Sequence, residues 1–423
     1  MAKRVHRYDK LDNTAHLFPV ITGESMSNVY RVAAVLKEDV DPELLQQALD
    51  TVLPYFEVFG VRMRKGLFWH YFETNVKPAP KVKEEHAYPC RYINPYDNND
   101  YQFRLSYYKK RVNLEVFHVL TDGNGALMFL KEIIYQYLRY RYPKLLEEVD
   151  DCLVVDTSLD NDDSYLRNYR QSAKKTYKTD PAFVVSGQKM PGYQIGVIHG
   201  RIQVEQIKKV AKAYGVTINH YLVGTFVWSV YKSFLQGKLN KPIRVCVPVN
   251  LRPYFDSDTT KNFFVIVSAA FTPTKEQYTF EEVLQSVAES LRTQITKENL
   301  ENLMSYNVSN EMNPLLRAVP LGIKGMAMRI IYKNSARANT TTITNLGVVS
   351  VAEPYREYID EFHAVLSMSR GQHIKGAVCS YGNKLVFTFS SHLYDTTIQK
   401  IFFRQLVSDG CEVEIATNGA YYE

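Results

Sequence analysis

Apolar and polar residues follow two rhythms along this chain. Residues 28–36, 193–203, 243–249 and 262–271 are apolar or alternating stretches of strand length. Further runs of this kind lie at 341–345, 363–369, 374–380 and 385–390, the last two joined by Gly382-Asn383. Residues 58–63 and 67–72 read as a hairpin around Lys65-Gly66. Elsewhere the period is that of a helix. Leu44, Leu45, Ala48, Leu49 and Val52 form a stripe behind Asp41-Pro42, an N-cap with proline in the first turn. Val283, Leu284, Val287 and Leu291 form another behind Thr279 and Glu282, spaced as a capping box. Helices are also expected over 204–214, stopped by Gly215, over 217–235 and over 396–407. Residues 297–335 show no clear period.

Strands and helices interleave through both halves, so the pattern predicts an α/β protein. Residues 151–182 are polar, charged and weakly periodic, and read as a crossover between two lobes spanning 1–178 and 179–423. The halves share a loose order that ends in strand, loop and helix: VFHVLTDGNGALMFL in the first, FSSHLYDTTIQKIFF in the second.

Composition narrows the function. Hydrophobic residues make up 45% and charged residues 23%, as in globular proteins in water. No apolar window of about 18 residues argues for a membrane span, and the basic N-terminus leads into no signal-type apolar region. Five scattered cysteines without a CxxC pair read as reduced thiols in a cytoplasmic protein. They offer no metal cluster. The net charge of +6 is mild and comes without basic blocks interleaved with aromatics, which disfavours nucleic acid as a partner. Nucleophile-elbow, Walker A and HExxH patterns are absent.

One motif carries chemistry. In 112–118 Val112, Leu114 and Val116 alternate, and His118 falls on the same face. Asp122, Gly123 and Gly125 follow, and a helix is expected from Ala126. Burial favours a neutral imidazole, which a general base requires near pH 7. On the strand alone, a core histidine bonded to a carbonyl is the plainer reading. Asp122 reads equally as a helix N-cap, and the two glycines as suppliers of positive φ in a tight loop. On the strand at 243–249 the odd-numbered valines and Ile243 share one face, with Asn250 and Arg252 on the other. Arg252 reads either as a partner for a buried Asp122, which would pin the loop that aims His118, or as a solvent-exposed arginine beside a proline turn.

FHVLTDGNGALMFL, VPVNLRPYFDSDTTKNFF and TTITNLGVV together resemble the superfamily of chloramphenicol acetyltransferase, condensation domains and alcohol acyltransferases, with the closest look to bacterial alcohol-acetyltransferase-like proteins. The hallmark HHxxxDG has Phe117 in place of its first histidine. The resemblance implies two similar lobes, each a mixed sheet with helices, and a tunnel between them that two substrates enter from opposite faces. It implies His118 as catalytic base, with Asp122, Gly123 and Arg252 as structural support. It makes Asn250, Thr344 and Asn345 candidates for substrate or oxyanion contacts. The implied reaction moves an acyl group, foremost acetyl, from a CoA thioester to an alcohol, with no permanently bound cofactor and a monomer sufficient. A carrier-protein thioester with an amine acceptor is the alternative within the fold. A non-catalytic binding module is the alternative outside enzymology. His392, His363 and His373 lack the motif.

Overall fold

The computed structural model describes residues 8–12, 15–145, 164–170, 180–234, 241–312 and 319–421. The crossover expected at 151–182 falls largely outside them. Among the described residues the strands form three sheets. A five-stranded sheet runs in the order Ile359–Leu366, Val29–Leu36, Arg111–Phe117, Phe103–Tyr108, Lys83–Glu84. A seven-stranded sheet runs Phe264–Phe271, Ile243–Asn250, Thr341–Val348, Ile374–Tyr381, Lys384–Ser391, Gly196–Gln203, Val413–Thr417. Thr341–Val348 is parallel to both its neighbours, and the remaining pairs of this sheet are antiparallel. A small third sheet joins Tyr8–Lys10, His70–Thr74 and Val61–Lys65.

Each large sheet buries one face under helices. Pro42–Val52 and Gly123–Arg141 cover the first, closing a core of Val32, Leu45, Leu49, Phe59, Phe103, Leu114, Phe129 and Ile133. Ile218–Ser233, Phe280–Gln294 and Thr397–Ser408 cover the second, around Phe226, Val247, Val265, Leu284, Phe387 and Phe402. The capping signals act as their residue types dictate. Asp41 accepts from the amides of Glu43 and Leu44, and Thr279 and Glu282 form a reciprocal capping box. Gly215 takes φ of 69° after the Val204–Ala213 helix, a conformation that favours glycine.

Several expectations shift. The hairpin strands are Val61–Lys65 and His70–Thr74, so Leu67 and Phe68 sit at the tip, exposed, and not in a strand. The strand expected at 363–369 is Ile359–Leu366, and it pairs with Val29–Leu36 in the first sheet. Its inner face carries buried Glu361 and His363, which hide the alternation. The described residues of 297–335 include the helices Lys297–Met312 and Leu321–Ser335. Short strands at 8–10 and 413–417 carry no apolar pattern that would announce them.

Candidate active site

The strand leading to the motif ends at Phe117, one residue before the histidine. His118 sits just beyond it and packs on Tyr30, the residue that pairs with Val116 across the sheet. It lies in a turn, where its amide donates to Asn28 O at 3.0 Å and Leu120 N donates to Phe117 O at 3.0 Å. The turn lifts the imidazole to the lobe junction, while Val119 and Leu120 return to the core. Phe18 stacks on the ring with centroids 4.7 Å apart, and Tyr30 meets it edge-on at 5.0 Å. The side chain keeps partial exposure.

Asn262, from the second lobe, decides the protonation pattern of that ring. Its Nδ2 donates to Asp12 Oδ2 at 2.8 Å and to His118 O at 3.2 Å. Both partners are acceptors only, so Oδ1 is the atom turned to His118 Nδ1, 3.1 Å away. An amide oxygen there requires a proton on Nδ1 and leaves Nε2 with its lone pair. Burial pushes the His118 pKa below its usual 6.5, and hydrogen bonds to its own carbonyl and to Asn262 offset this only in part.

The loop beyond His118 is fixed by Asp122. Its Oδ1 accepts from Asn124 N at 3.1 Å and Gly125 N at 3.2 Å, capping the Gly123–Arg141 helix. Its two oxygens also receive the Arg252 guanidinium, at 2.8 Å from Nη1 to Oδ2 and 3.2 Å from Nη2 to Oδ1. Phe263 N adds a bond to Oδ2 at 3.0 Å. Arg252 lies past the strand end, in a helical turn from Arg252 to Phe255. Its remaining donors reach Thr259 O and Lys261 O, each at 2.8 Å. One ion pair thus ties the loop after His118 to the segment that carries Asn262. Tyr30 Oη seals the loop by donating to the Thr121 and Asp122 carbonyls.

The glycines act by size. The helix already begins at Gly123, and neither Gly123 nor Gly125 has positive φ. A Cβ on Gly123 would strike the Leu346 side chain, and one on Gly125 would strike Thr121 and the Thr260 carbonyl. Close approach of the two lobes, not a left-handed turn, is what excludes a side chain there.

The other candidates separate. Asn250 Oδ1 accepts from Arg252 N and Nη1, both at 3.1 Å, so it braces the arginine. Asn345 is exposed, donates to Asn219 Oδ1 at 3.3 Å and accepts from Gly347 N at 2.8 Å. Thr344 stays partly exposed on the opposite face of its strand from buried Ile343. The inner face of the second sheet is only partly covered along this edge. Pro248, Phe264 and Thr344 are partly exposed, and Ile266 is 49% exposed between buried Val265 and Val267. Asn262, Asp12, Tyr30 and Phe18 have no motif of their own, although Asn262 lies inside VPVNLRPYFDSDTTKNFF.

No protein-family model and no curated protein matches the sequence. Solved structures do match. Polyketide synthase associated protein 5 from Mycobacterium tuberculosis aligns at 12% identity with TM-score 0.59, over 94% of this chain and 96% of that one. The condensation domain of the Monacolin K polyketide synthase MokA aligns at 12% with TM-score 0.57, over 95% and 96%. TRI101 of F. graminearum, complexed with ethyl coenzyme A, aligns at 11% with TM-score 0.62, over 97% and 100%. The chain shares the fold of these proteins, condensation domains and TRI101 among them, over nearly its whole length.

Within this fold one cavity is lined by Leu120, two residues past His118, and another by Val20 and Ile21 beside Phe18. The first, of about 310 Å³, is also lined by Asp12, Phe56, Phe72 and Lys261 among others. The other, about 1090 Å³, is lined by Lys189, Arg329, Lys333, Arg370, His373 and His392 with no carboxylate. Ser369 also lines it and accepts at 2.6 Å from the buried Lys375, whose pKa burial pushes down to about 8. His118 lines neither cavity, so the through-tunnel expected between the lobes is not formed by these two voids. Phe18 stands against the ring, and its neighbours Val20 and Ile21 line the larger cavity.

Proposed function

We propose that this protein is an acyltransferase that moves an acyl group, foremost acetyl, from coenzyme A to an alcohol hydroxyl. The observation that carries the reading is the amide-fixed His118: neutral, partly exposed, at a lobe junction, with Nε2 unprotonated. Nε2 would take the proton of the acceptor hydroxyl as its oxygen attacks the thioester carbonyl. The tetrahedral intermediate collapses, the C–S bond breaks, and the imidazolium returns the proton to the leaving thiolate. The products are an ester and free thiol, and no covalent enzyme intermediate is needed. The Thr344 hydroxyl is the remaining candidate for the oxyanion, because Asn250 and Asn345 are engaged elsewhere. Donor binding needs a site for phosphates. Lys189 and Arg370 on the wall of the larger cavity would supply one, which supports CoA over a carrier arm that bears a single phosphodiester. The reading requires no resident metal or cofactor, places the reaction in the cytoplasm, where acyl-CoA is held, and lets a monomer do the work.

The test is ester and thiol production from acetyl-CoA with a panel of alcohols, for wild type and His118→Ala, with folding checked by circular dichroism. Loss of product in the folded variant supports the reading, and full activity overturns it. Transfer from a loaded carrier protein to an amine, with none from CoA, would assign the condensation-type reaction. Acetyl-CoA binding with no thiol released for any acceptor would assign a binding module.

A further inference from the structure

The Leu321–Ser335 helix leaves an apolar stripe in water. Ile323, Met326, Ile330 and Ile331 are 64%, 66%, 58% and 66% exposed, and exposed Ala327 lies between them. Their spacing is i, i+3, i+4, i+7, i+8, one continuous face of a helix. The Val61–Thr74 hairpin adds to it. Its tip residues Leu67 and Phe68 are 71% and 41% exposed. The tip is docked on the helix start: Leu321 N donates to Leu67 O at 2.8 Å, and Lys324 Nζ donates to Phe68 O at 3.2 Å while lying over the Trp69 ring. Two docked elements thus present six large apolar side chains to water. A patch of this kind marks an interaction site more often than an accident.

Charge selects the occupant. Between Met312 and Ala352 the sequence has five Lys and Arg and neither Asp nor Glu. Arg329, Lys333 and Arg337 are exposed there, and Lys65 is exposed beside the hairpin tip. A second copy of the chain, meeting this face by two-fold symmetry, would bring cation against cation. An anionic lipid surface satisfies both features, since its headgroups attract lysine and arginine and its boundary with the acyl chains accepts the aliphatic side chains. We propose that the Leu321–Ser335 helix and the Leu67-Phe68 tip dock this protein on an anionic lipid surface, with the helix lying along it. Among the described residues no helix is long and apolar enough to cross a membrane, which fits surface attachment by this face. The helix also holds the Phe18–Ile21 turn through Arg329 Nε to Val20 O at 2.8 Å. Docking therefore sets the larger cavity beside lipid, where an apolar substrate is concentrated. This inference stands whether or not the acyl-transfer reading does.

The experiment is co-sedimentation of the full chain with vesicles of phosphatidylcholine alone and of phosphatidylcholine mixed with phosphatidylglycerol. Binding is expected to the mixed vesicles at low salt, falling roughly tenfold or more as salt screens the basic face. Ile323→Ser/Met326→Ser and Leu67→Ser/Phe68→Ser should each weaken binding at least about tenfold. These positions are exposed, so melting curves should match wild type. Equal binding to both vesicle types, or unchanged binding by both folded double variants, overturns the proposal. Sedimentation showing a wild-type dimer that the same variants dissociate assigns the face to a second copy and overturns it as well.

Discussion

His118 and Asn262 show how a base is made from ordinary groups. An exposed imidazole near its usual pKa of 6.5 is partly protonated in neutral water. Here burial lowers the pKa, and the amide oxygen of Asn262 chooses which nitrogen keeps the proton. The sign for activity follows. The neutral form is the active one, so kcat/KM should stay level through neutral pH and decline only below about 6.5, where the imidazole protonates. An acid limb centred above that value would mean that burial does not tune this base. Asn262→Ala should leave the ring free to rotate and lower kcat/KM roughly 10²-fold, the scale of a misplaced catalytic group. A merely structural asparagine would change stability and leave the pH profile and turnover of the folded fraction alone. Its place inside VPVNLRPYFDSDTTKNFF is the one sequence signal for Asn262, and that signal gives it no role. Its role comes from Asp12, about 250 residues away in the chain, whose carboxylate fixes the amide's orientation.

At the scale of elements, the critical part is the join between a helix start and a strand end. Asp122 caps the Gly123–Arg141 helix and pairs with Arg252, and both side chains are nearly buried, at 9% and 13% exposed. Removing one partner of such a pair leaves the other charge uncompensated, so Arg252→Ala should cost about 3 kcal/mol by urea denaturation. Arg252→Lys should recover little of it, because a lysine cannot span both carboxylate oxygens and still reach the Thr259 and Lys261 carbonyls. A lysine variant as stable as wild type would show that charge alone, not the fork, holds the join. Gly125→Ala should destabilise too, since the backbone carbonyl of Thr260 cannot give way easily. The caps were legible in sequence because they act within three residues: Asp41-Pro42, Thr279 with Glu282, and Asp122 itself. The hairpin tip was not. Leu67 and Phe68 look like strand residues by type, and what keeps them out is their contact with a helix more than 250 positions later. Residues 297–335 resisted for a different reason: Gly322 and Gly325 argue against a helix, and Leu321 and Met328 are apolar off the Ile323–Ile331 stripe, which blurs its period.

Charged and apolar contacts both join the molecule where its lobes meet: Val197, Ala377 and Cys379 of the second sheet belong to the first lobe's core, and ion pairs lie beside them. Arg201, on Gly196–Gln203, reaches Glu361 on Ile359–Leu366 at 2.6 Å from Nε, and His199 and His363 face each other with rings 4.4 Å apart. On the same side of the first sheet Arg31 and Arg104 close on Glu115, which also accepts from Cys90 N at 2.6 Å. Burial holds His199 well below its usual 6.5, and the neighbouring His363 ring pushes the same way. His363 is also lowered, by burial first. Burial opposes the Glu115 charge, yet Arg31, Arg104 and the Cys90 amide outweigh it and bring the carboxyl from 4.5 down to about 2. All these folded values lie below the unfolded ones, so the unfolded chain binds more protons as pH falls, and stability falls with pH. The histidines begin this loss below about 6.5 and the carboxylates continue it below about 4.5. For Glu115 the full window down to about 2 corresponds to something on the order of 3 kcal/mol. Urea midpoints measured between pH 8 and 3 should therefore decline in two stages. His363→Gln should make the upper stage shallower, because it removes one of several rings, His118, His199 and His392 among them, that must stay neutral, and should leave the lower stage in place. A wild-type midpoint that holds level from pH 7 to 5 would mean that the imidazole pair contributes nothing to joining the lobes, and that the Arg201–Glu361 pair and its carboxylate neighbours carry the acid response alone.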